Sequence, residues 1–439
     1  MKKNLIIMIL TAILTTTACG KKVGTNDSES SSGIENSTTV SATTIRTTVA
    51  SSSSATTAVT TKAKEEKASK NPPAEVILTA ADTVEVYKDM TISEFITDTN
   101  AELCDADKPI DVSELGEKKI KVKFTYDGKL YEKELKYNVV DTTEPVLLNS
   151  GWEPYTIVDQ PFDLNSMVGF VDNYDRSPAL TYEGVVDTSM VGSYPITATV
   201  TDNSGNSTSW DMTVLVLTEK PQPQDNNTRV SFSDFMSYYC YDNVSYGIDV
   251  SAWQTNVDYN AVKNEGCEFV IMRMGYCYDQ IKMDDYYLQN MENATAAGLD
   301  VGVYFYTTAN TEEKVREQAR WILEQLDGRS LDYPIAFDWE SWGQFQQYGM
   351  NVHDLNELFE IFCEEIEKGG YTAMLYSSKN FLNNFWENEN NRPVWLAHYV
   401  DETDYDGLFA IWQASAYGRI AGIEGDVDMN IRIKDMPLN

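Results

Sequence analysis

The sequence predicts a multidomain protein, two small all-β sandwiches followed by an irregular α/β barrel. Three observations carry that expectation. At 439 residues the chain is too long for one ordinary domain. Residues 76–218 alternate apolar and polar positions in short runs broken by turn residues, with no sustained helical period. After Tyr246 short apolar runs alternate with amphipathic stretches, as in strands joined by helical crossovers.

The first element is the N-terminus, "MKKNLIIMILTAILTTTACG". Two lysines precede an apolar run from Leu5 to Leu14, which falls short of the ~20 residues that span a bilayer, so residues 1–19 read as a signal peptide. The end of this segment, Thr16-Thr17-Ala18-Cys19, resembles a bacterial lipobox, although Thr16 stands where Leu or Val is usual. That resemblance implies export, lipidation of Cys19 and an extracellular protein anchored in the cell membrane and facing the wall. From Lys21 to Glu75, 22 of 55 residues are Ser or Thr and none is aromatic. Such a composition cannot bury enough apolar surface to offset its chain entropy, and residues 20–75 are expected to be a disordered tether.

Next come two β-rich segments, 76–142 and 143–218. In "KKIKVKFTYDGKLYEKELKYNVV" two alternating runs flank Asp127-Gly128, a hairpin signal. "DVSELGEKKIKV" from Asp111 and "DTSMVGSYPITA" from Asp187 share D-x-S-x-x-G ahead of an alternating strand, which marks an internal repeat joined at "DTTEP", residues 141–145. With "VTDNSGNST", residues 200–208, these segments resemble bacterial immunoglobulin-like domains and are expected to act as spacers. "EKPQPQDNNT" then opens a linker expected over 219–245.

Residues 246–439 carry eight apolar runs, near 246–250, 268–273, 301–306, 333–338, 371–376, 393–397, 409–413 and 426–430. Helical stretches at 311–326 and 352–368 fall between them. Eight strands in under 200 residues imply a compact, TIM-like barrel with some helices short or missing, whose site lies where strands end.

In "IAFDWESW", residues 335–342, Asp338 and Glu340 sit two apart and so face one way, with Trp339 on the other side. Two charges about 6 Å apart repel by roughly 3 kcal/mol at an effective dielectric near 20, enough to raise one pKa by about two units. Repulsion would thus divide the pair into a protonated acid and an anion, the division that glycosidic cleavage uses. Asp249 in "YGIDVS" and Asp428 in "GDVDMN" end the first and last strands, which barrel closure brings together. Tyr304, Tyr306, Tyr376, Trp395 and Gln413 recur in the same register and are expected to line a sugar groove.

Composition excludes several alternatives. A net charge of −34 and a pI near 4.3 oppose nucleic-acid binding. His353 and His398 lie 45 residues apart without ligand spacing, and no metal or other cofactor is expected. Apart from Cys19 the cysteines are odd in number, lack framework spacing and are expected to be buried free thiols.

Through "GIDVSAWQ", "FVIMRMGY", "GVYFYT", "PIAFDWE", "VWLAHY", "IWQAS" and "GIEGDVDMN", in that order, residues 246–434 resemble the family 25 glycoside hydrolases, the N-acetylmuramidase type of lysozyme. The resemblance implies hydrolysis of the β-1,4 bond between N-acetylmuramic acid and N-acetylglucosamine in peptidoglycan glycan strands, with retention expected. It implies Glu340 as general acid, Asp338 as the acid that supports the reacting sugar or its N-acetyl group, and Asp249 and Asp428 as further acids of the same mouth. Thr255 and Tyr259 stand where that family often has Gly and Trp. The competing expectation is an inactive barrel that binds the wall or acts as an adhesin.

Overall fold

The computed structural model describes residues 67–148, 153–222, 225–387 and 392–438. The signal-like segment, Cys19 and most of the Ser/Thr-rich stretch lie outside the described residues. That stretch was expected to remain without structure to Glu75, but Ser69 bridges Tyr131, its amide donating to the Leu130 carbonyl at 3.0 Å, so the folded chain begins earlier.

The first β-rich part is built on the predicted hairpin. Strands Gly116–Tyr126 and Lys129–Val140 pair antiparallel from end to end, and Asp127 (φ 47°) and Gly128 (φ 72°) supply the two positive-φ positions that a tight two-residue turn requires. Thr83–Glu85 and Glu102–Leu103 flank the hairpin in a four-stranded sheet, beside the two-stranded pair Leu78–Ala80 and Ile96–Thr99. One face carries Val122, Phe124, Tyr131, Tyr137 and Val139 into a core shared with Ile92 and Phe95. The second part repeats the plan: a four-stranded sheet in the order Ala179–Glu183, Gly192–Thr201, Ser207–Leu217, Tyr155–Ile157, with Val146–Leu147 and Phe170–Val171 as a separate pair. The repeated D-x-S-x-x-G has one geometry in both. Asp111 Oδ1 accepts from Ser113 N and Oγ (3.1 and 2.6 Å), and Asp187 Oδ1 from Ser189 N and Oγ (3.0 and 2.6 Å), each turn leading into a long strand that begins at the glycine.

Among the described residues, eight strands close into a barrel: β1 (Val244–Val250), β2 (Phe269–Cys277), β3 (Asp300–Thr307), β4 (Ile335–Trp339), β5 (Ala373–Ser378), β6 (Val394–Ala397), β7 (Ile411–Arg419) and β8 (Val427–Ile433). Strands β1 to β7 run parallel, whereas β8 is antiparallel to both its neighbours, β7 and β1, and seals the ring. This departure from an all-parallel barrel follows from the chain: β7 reaches β8 through the short, glycine-containing segment 420–426, too short for the crossover a parallel return needs.

Helices α1 (Tyr259–Asn264), α2 (Tyr287–Ala296), α3 (Glu312–Leu326) and α4 (Val352–Lys368) follow β1 to β4. Helix α3 starts where Thr311 accepts the Lys314 amide, ends at left-handed Asp327, and buries Val315, Ala319, Ile322 and Leu326 at helical spacing. Helix α4 starts in a capping box between Asn351 and Asp354.

The linker is shorter than expected. Val230–Ser231 pairs with β7, and the helix Phe232–Tyr238 places Phe232 and Phe235 in the barrel's core. Burying each ring contributes about 2–3 kcal/mol, which holds residues 230–245 to the barrel. Cys104 and Cys240 also differ from expectation, being exposed, whereas Cys267, Cys277 and Cys363 are buried; all five are free.

Candidate active site

The barrel interior is filled by side chains from alternate strand positions. Phe269, Ile271, Tyr333, Ala336, Met374, Trp395 and Ile411 form its apolar lower part, with Tyr304 and Tyr376 packed on top. At Gly247 a Cβ would come within 2.5 Å of the Phe269 ring, so glycine there lets the interior close. The acids stand above this plug, at the C-terminal ends of the strands.

Asp338 lies in register with Tyr306 of β3 and Tyr376 of β5. Trp339 points the other way, into the helical layer, where its Nε1 donates to the Ala309 carbonyl at 2.9 Å. Glu340 follows directly, past the strand end. Across the mouth, Asp249 of β1 is the direct partner of Asp428 of β8. The four carboxyls feel one another: Glu340 and Asp249 act on Asp338, and Asp249 and Glu340 act on Asp428. All four predicted acids are therefore gathered in one place.

Their electrostatics differ from the sequence argument in cause. Repulsion within the Asp338–Glu340 pair was expected to dominate; burial comes first. Loss of hydration raises Asp338 well above the carboxylate range, with Glu340 and Asp249 adding to the push and Arg273 opposing it. Asp338 Oδ1 is buried without a hydrogen-bond partner. Asp428 is likewise raised by burial and then by Asp249 and Glu340. Asp249 is raised to about 6 by burial, against donors from Gln413 Nε2 (2.8 Å) and Asn430 Nδ2 (2.7 Å), both to Oδ2. Glu340 is open to solvent, yet surrounding protein thins its hydration enough to raise it too.

The predicted groove residues divide. Tyr306 is partly exposed beside Tyr278, with ring centroids 5.4 Å apart, under the influence of Glu340 and Asp338. Tyr304 and Tyr376 are also partly exposed and reach the acids from below. Trp395 and Gln413 were expected in the groove lining but are 2% and 3% exposed, in the layer beneath. Trp395 Nε1 donates to Asn430 Oδ1 (2.8 Å), and Gln413 Oε1 accepts from the hydroxyls of Tyr376 (2.9 Å) and Tyr399 (2.8 Å). These two side chains position Asp249 and the tyrosines.

Several residues of the site were missed. Tyr399 is 51% exposed while its hydroxyl reaches Gln413, which makes its ring a candidate sugar platform. Asn430 lies two residues from Asp428 on the same strand face, a relation that period-two alternation contains. Arg273 interrupts the apolar run of β2 and grips buried Asp284 at 2.7 Å; Asp284 also accepts the Ala252 amide (2.9 Å) and so braces the loop after β1.

Residues 248–423 match the model of the glycosyl hydrolases family 25. The match runs from β1 into the segment that precedes β8, so the barrel is similar to that family over nearly its whole length. Relatives of the hydrolase domain include the uncharacterized Escherichia coli K12 protein YegX, 28% identical over 224 residues, which cover 47% of this chain and 80% of that protein. Another is the autolytic lysozyme of Clostridium acetobutylicum, 29% identical over 188 residues, 42% of this chain and 54% of the relative's length. Among solved structures, the bacterial lysozyme of Streptomyces coelicolor is similar at 25% identity and a TM-score of 0.36, over 42% of this chain and 90% of that one. The chain is a glycoside hydrolase, and its four gathered acids belong to the matched domain or, for Asp428, to the strand that closes it.

Proposed function

We propose that the protein is a peptidoglycan hydrolase that cleaves the β-1,4 bond between N-acetylmuramic acid and N-acetylglucosamine. The observation that carries this reading is the gathering of Asp338, and Glu340 just past the end of β4, with Asp249 and Asp428, close enough for their charges to act on one another. Glu340 protonates the glycosidic oxygen as the bond to the anomeric carbon breaks, a role supported by its solvent exposure and raised pKa. Asp338, one step deeper, orients the substrate's acetamido oxygen while protonated, and a positive charge developing on the sugar beside it favours its ionised form, which then supports that charge. The Glu340 carboxylate then takes a proton from the water that attacks the anomeric carbon, which returns the acid to its starting form, and we expect retention. Asp249 and Asp428 shape the field of the mouth. Tyr306, Tyr304, Tyr376 and Tyr399 offer ring faces and hydroxyls to the glycan, with Trp395 and Gln413 behind them.

The N-terminal sequence supports export, lipidation at Cys19 and an extracellular position facing the wall. Residues 76–142 and 143–218 read as immunoglobulin-like spacers, a reading supported by their repeated turn geometry and separate apolar cores.

The test is Glu340→Gln, with reducing ends released from purified peptidoglycan as the readout. Turnover should fall about 100-fold or more, since proton donation is lost while the fold is kept. Mass spectrometry of wild-type products should show N-acetylmuramic acid at the new reducing end. Retention of walls without any cleavage by wild type would instead establish a binding protein.

A further inference from the structure

Three acids outside the hydrolase mouth raise a separate question. Asp141 follows the strand Lys129–Val140, Asp172 follows Phe170–Val171, and Asp202 follows Gly192–Thr201. Each offers a carboxylate oxygen, and the three oxygens lie within 4.8 Å of one another. All three residues are buried, Asp172 to 1% exposure. Two of them come from segments that the sequence singled out and catalysis does not use, "DTTEP" and "VTDNSGNST".

The hydrogen bonds of these acids leave charge unanswered. Asp141 accepts from Ser204 Oγ (2.9 Å) and the Thr143 amide (3.3 Å), and Asp202 from the amide and Nδ2 of Asn206 (2.8 and 2.7 Å). Asp172 accepts from the Tyr174 and Asp175 amides (2.9 and 2.6 Å) through Oδ1 alone. Its Oδ2 is buried with no partner, as is Oδ1 of the adjacent Asn173. Among the described residues no Lys or Arg lies within 4.0 Å of any of the three carboxylates. Burial and the neighbouring acids raise Asp172 to about 6. Three converging buried carboxylates without a counter-charge are costly to ionise unless a cation accompanies them.

We propose that Asp141, Asp172 and Asp202, with Asn173 beside them, form a calcium-class divalent cation site at the base of the second β-rich part. The donors are all hard oxygens with no His or Cys, which selects Ca²⁺ or Mg²⁺ over transition metals. Donors drawn from three separate strand ends suit the larger, geometrically tolerant Ca²⁺ better than octahedral Mg²⁺. The loop that carries Asp172 also meets the hydrolase barrel. The Asp172 carbonyl accepts from the Val352 amide (2.9 Å), the Tyr174 carbonyl from Asn351 Nδ2 (2.6 Å), and Arg176 makes a two-pronged pair with Asp354 (2.7 Å each). A cation held at Asp172 stiffens this loop and with it the seat of helix α4.

The test uses the full chain, stripped with EDTA and then titrated with Ca²⁺ by calorimetry, with Mg²⁺ in parallel. One Ca²⁺ should bind per chain with a Kd of about 10⁻⁴–10⁻³ M or tighter, and with a clear preference over Mg²⁺. Saturating Ca²⁺ should raise the melting temperature and protect the 172–176 loop from proteolysis. Asp172→Asn should abolish both effects, yet melt at or above wild type in EDTA because a buried charge is gone. A merely structural Asp172 would give the reverse, a lower melting temperature in EDTA with Ca²⁺ binding intact. That outcome overturns the proposal, as does the absence of binding at about 10 mM Ca²⁺. Binding that survives Asp172→Asn and disappears in Asp338→Asn would place the ion in the hydrolase mouth and equally overturn it.

Discussion

Replacing Asp249 by Asn should stabilise the barrel and impair it as an enzyme, and the gain should depend on pH. Asp249 is 6% exposed, and burial raises its pKa from 3.8 to about 6. A carboxyl with a raised folded-state pKa lends its full stability below the unfolded value and loses it as pH rises through the folded one. The window is therefore about pH 4–6. The shift is about two units, and at 1.36 kcal/mol per unit the ionised group costs the fold roughly 3 kcal/mol at pH 7 relative to its neutral form. Asparagine mimics that neutral form, because its oxygen can take the place of Oδ2 and accept from both Gln413 and Asn430. Asp338 and Asp428, which Asp249 also pushes up, are raised well above the carboxylate range and so add little repulsion of their own to relieve at pH 7. At about 2–4 °C per kcal/mol for a domain of this size, Asp249→Asn should melt about 6–12 °C above wild type at pH 7 and within a degree or two of it at pH 4. Thermal melts from pH 4 to 8, followed by near-ultraviolet circular dichroism of the barrel's buried tryptophans, measure this. A difference that stays constant across that range, or a variant less stable at pH 7 than at pH 4 relative to wild type, would refute burial as the source of the raised pKa.

Two further substitutions test other features. Thr255 holds φ at 54°, a region that a β-branched residue enters at a cost of about 1–3 kcal/mol. After allowance for glycine's greater chain entropy, Thr255→Gly should raise stability by about 1 kcal/mol in denaturant titrations, and a lower midpoint would show that the loop is relaxed as it stands. Tyr399→Ala removes the exposed ring above Gln413 and should raise KM on soluble glycan strands about 2- to 10-fold, with Tyr399→Phe closer to wild type; an unchanged KM in the alanine variant would remove Tyr399 from the substrate path.

The barrel was legible because alternation and helix periodicity are local. The expected strand near 301–306 is β3 at Asp300–Thr307, and the expected helices at 311–326 and 352–368 are α3 and α4 to within a residue. The antiparallel β8 was not legible as such, since direction depends on the length of the connection and on what closes the ring. Depth was also hidden. Period two places Trp395 and Gln413 on the inward face, but an inward side chain in a barrel meets either the filled core or the open mouth, and only the stagger of neighbouring strands decides which. The polar composition of 219–228 stops short of Phe232 and Phe235, whose apolar pair is the local sign of a docked helix.

The same blindness to depth explains the electrostatics. Spacing along β4 gives a charge separation and hence a repulsion, and the estimate of about 3 kcal/mol was sound in sign. It omits the medium. Asp338 stands above a plug of Phe269, Met374 and Trp395 and between Tyr306 and Tyr376, and the nearby guanidinium, Arg273, already holds Asp284. Four acids share that surrounding, so each loses hydration before it meets its neighbours' charge, and the field of the mouth follows from enclosure first and pairing second. A sugar that becomes positively charged in the transition state would meet the unmet half of this balance, the charge that protein and water leave uncompensated. A groove built to bind and not to react gains nothing from such a cost, and the enclosure of Asp249 and Asp338 therefore favours the hydrolase over the adhesin.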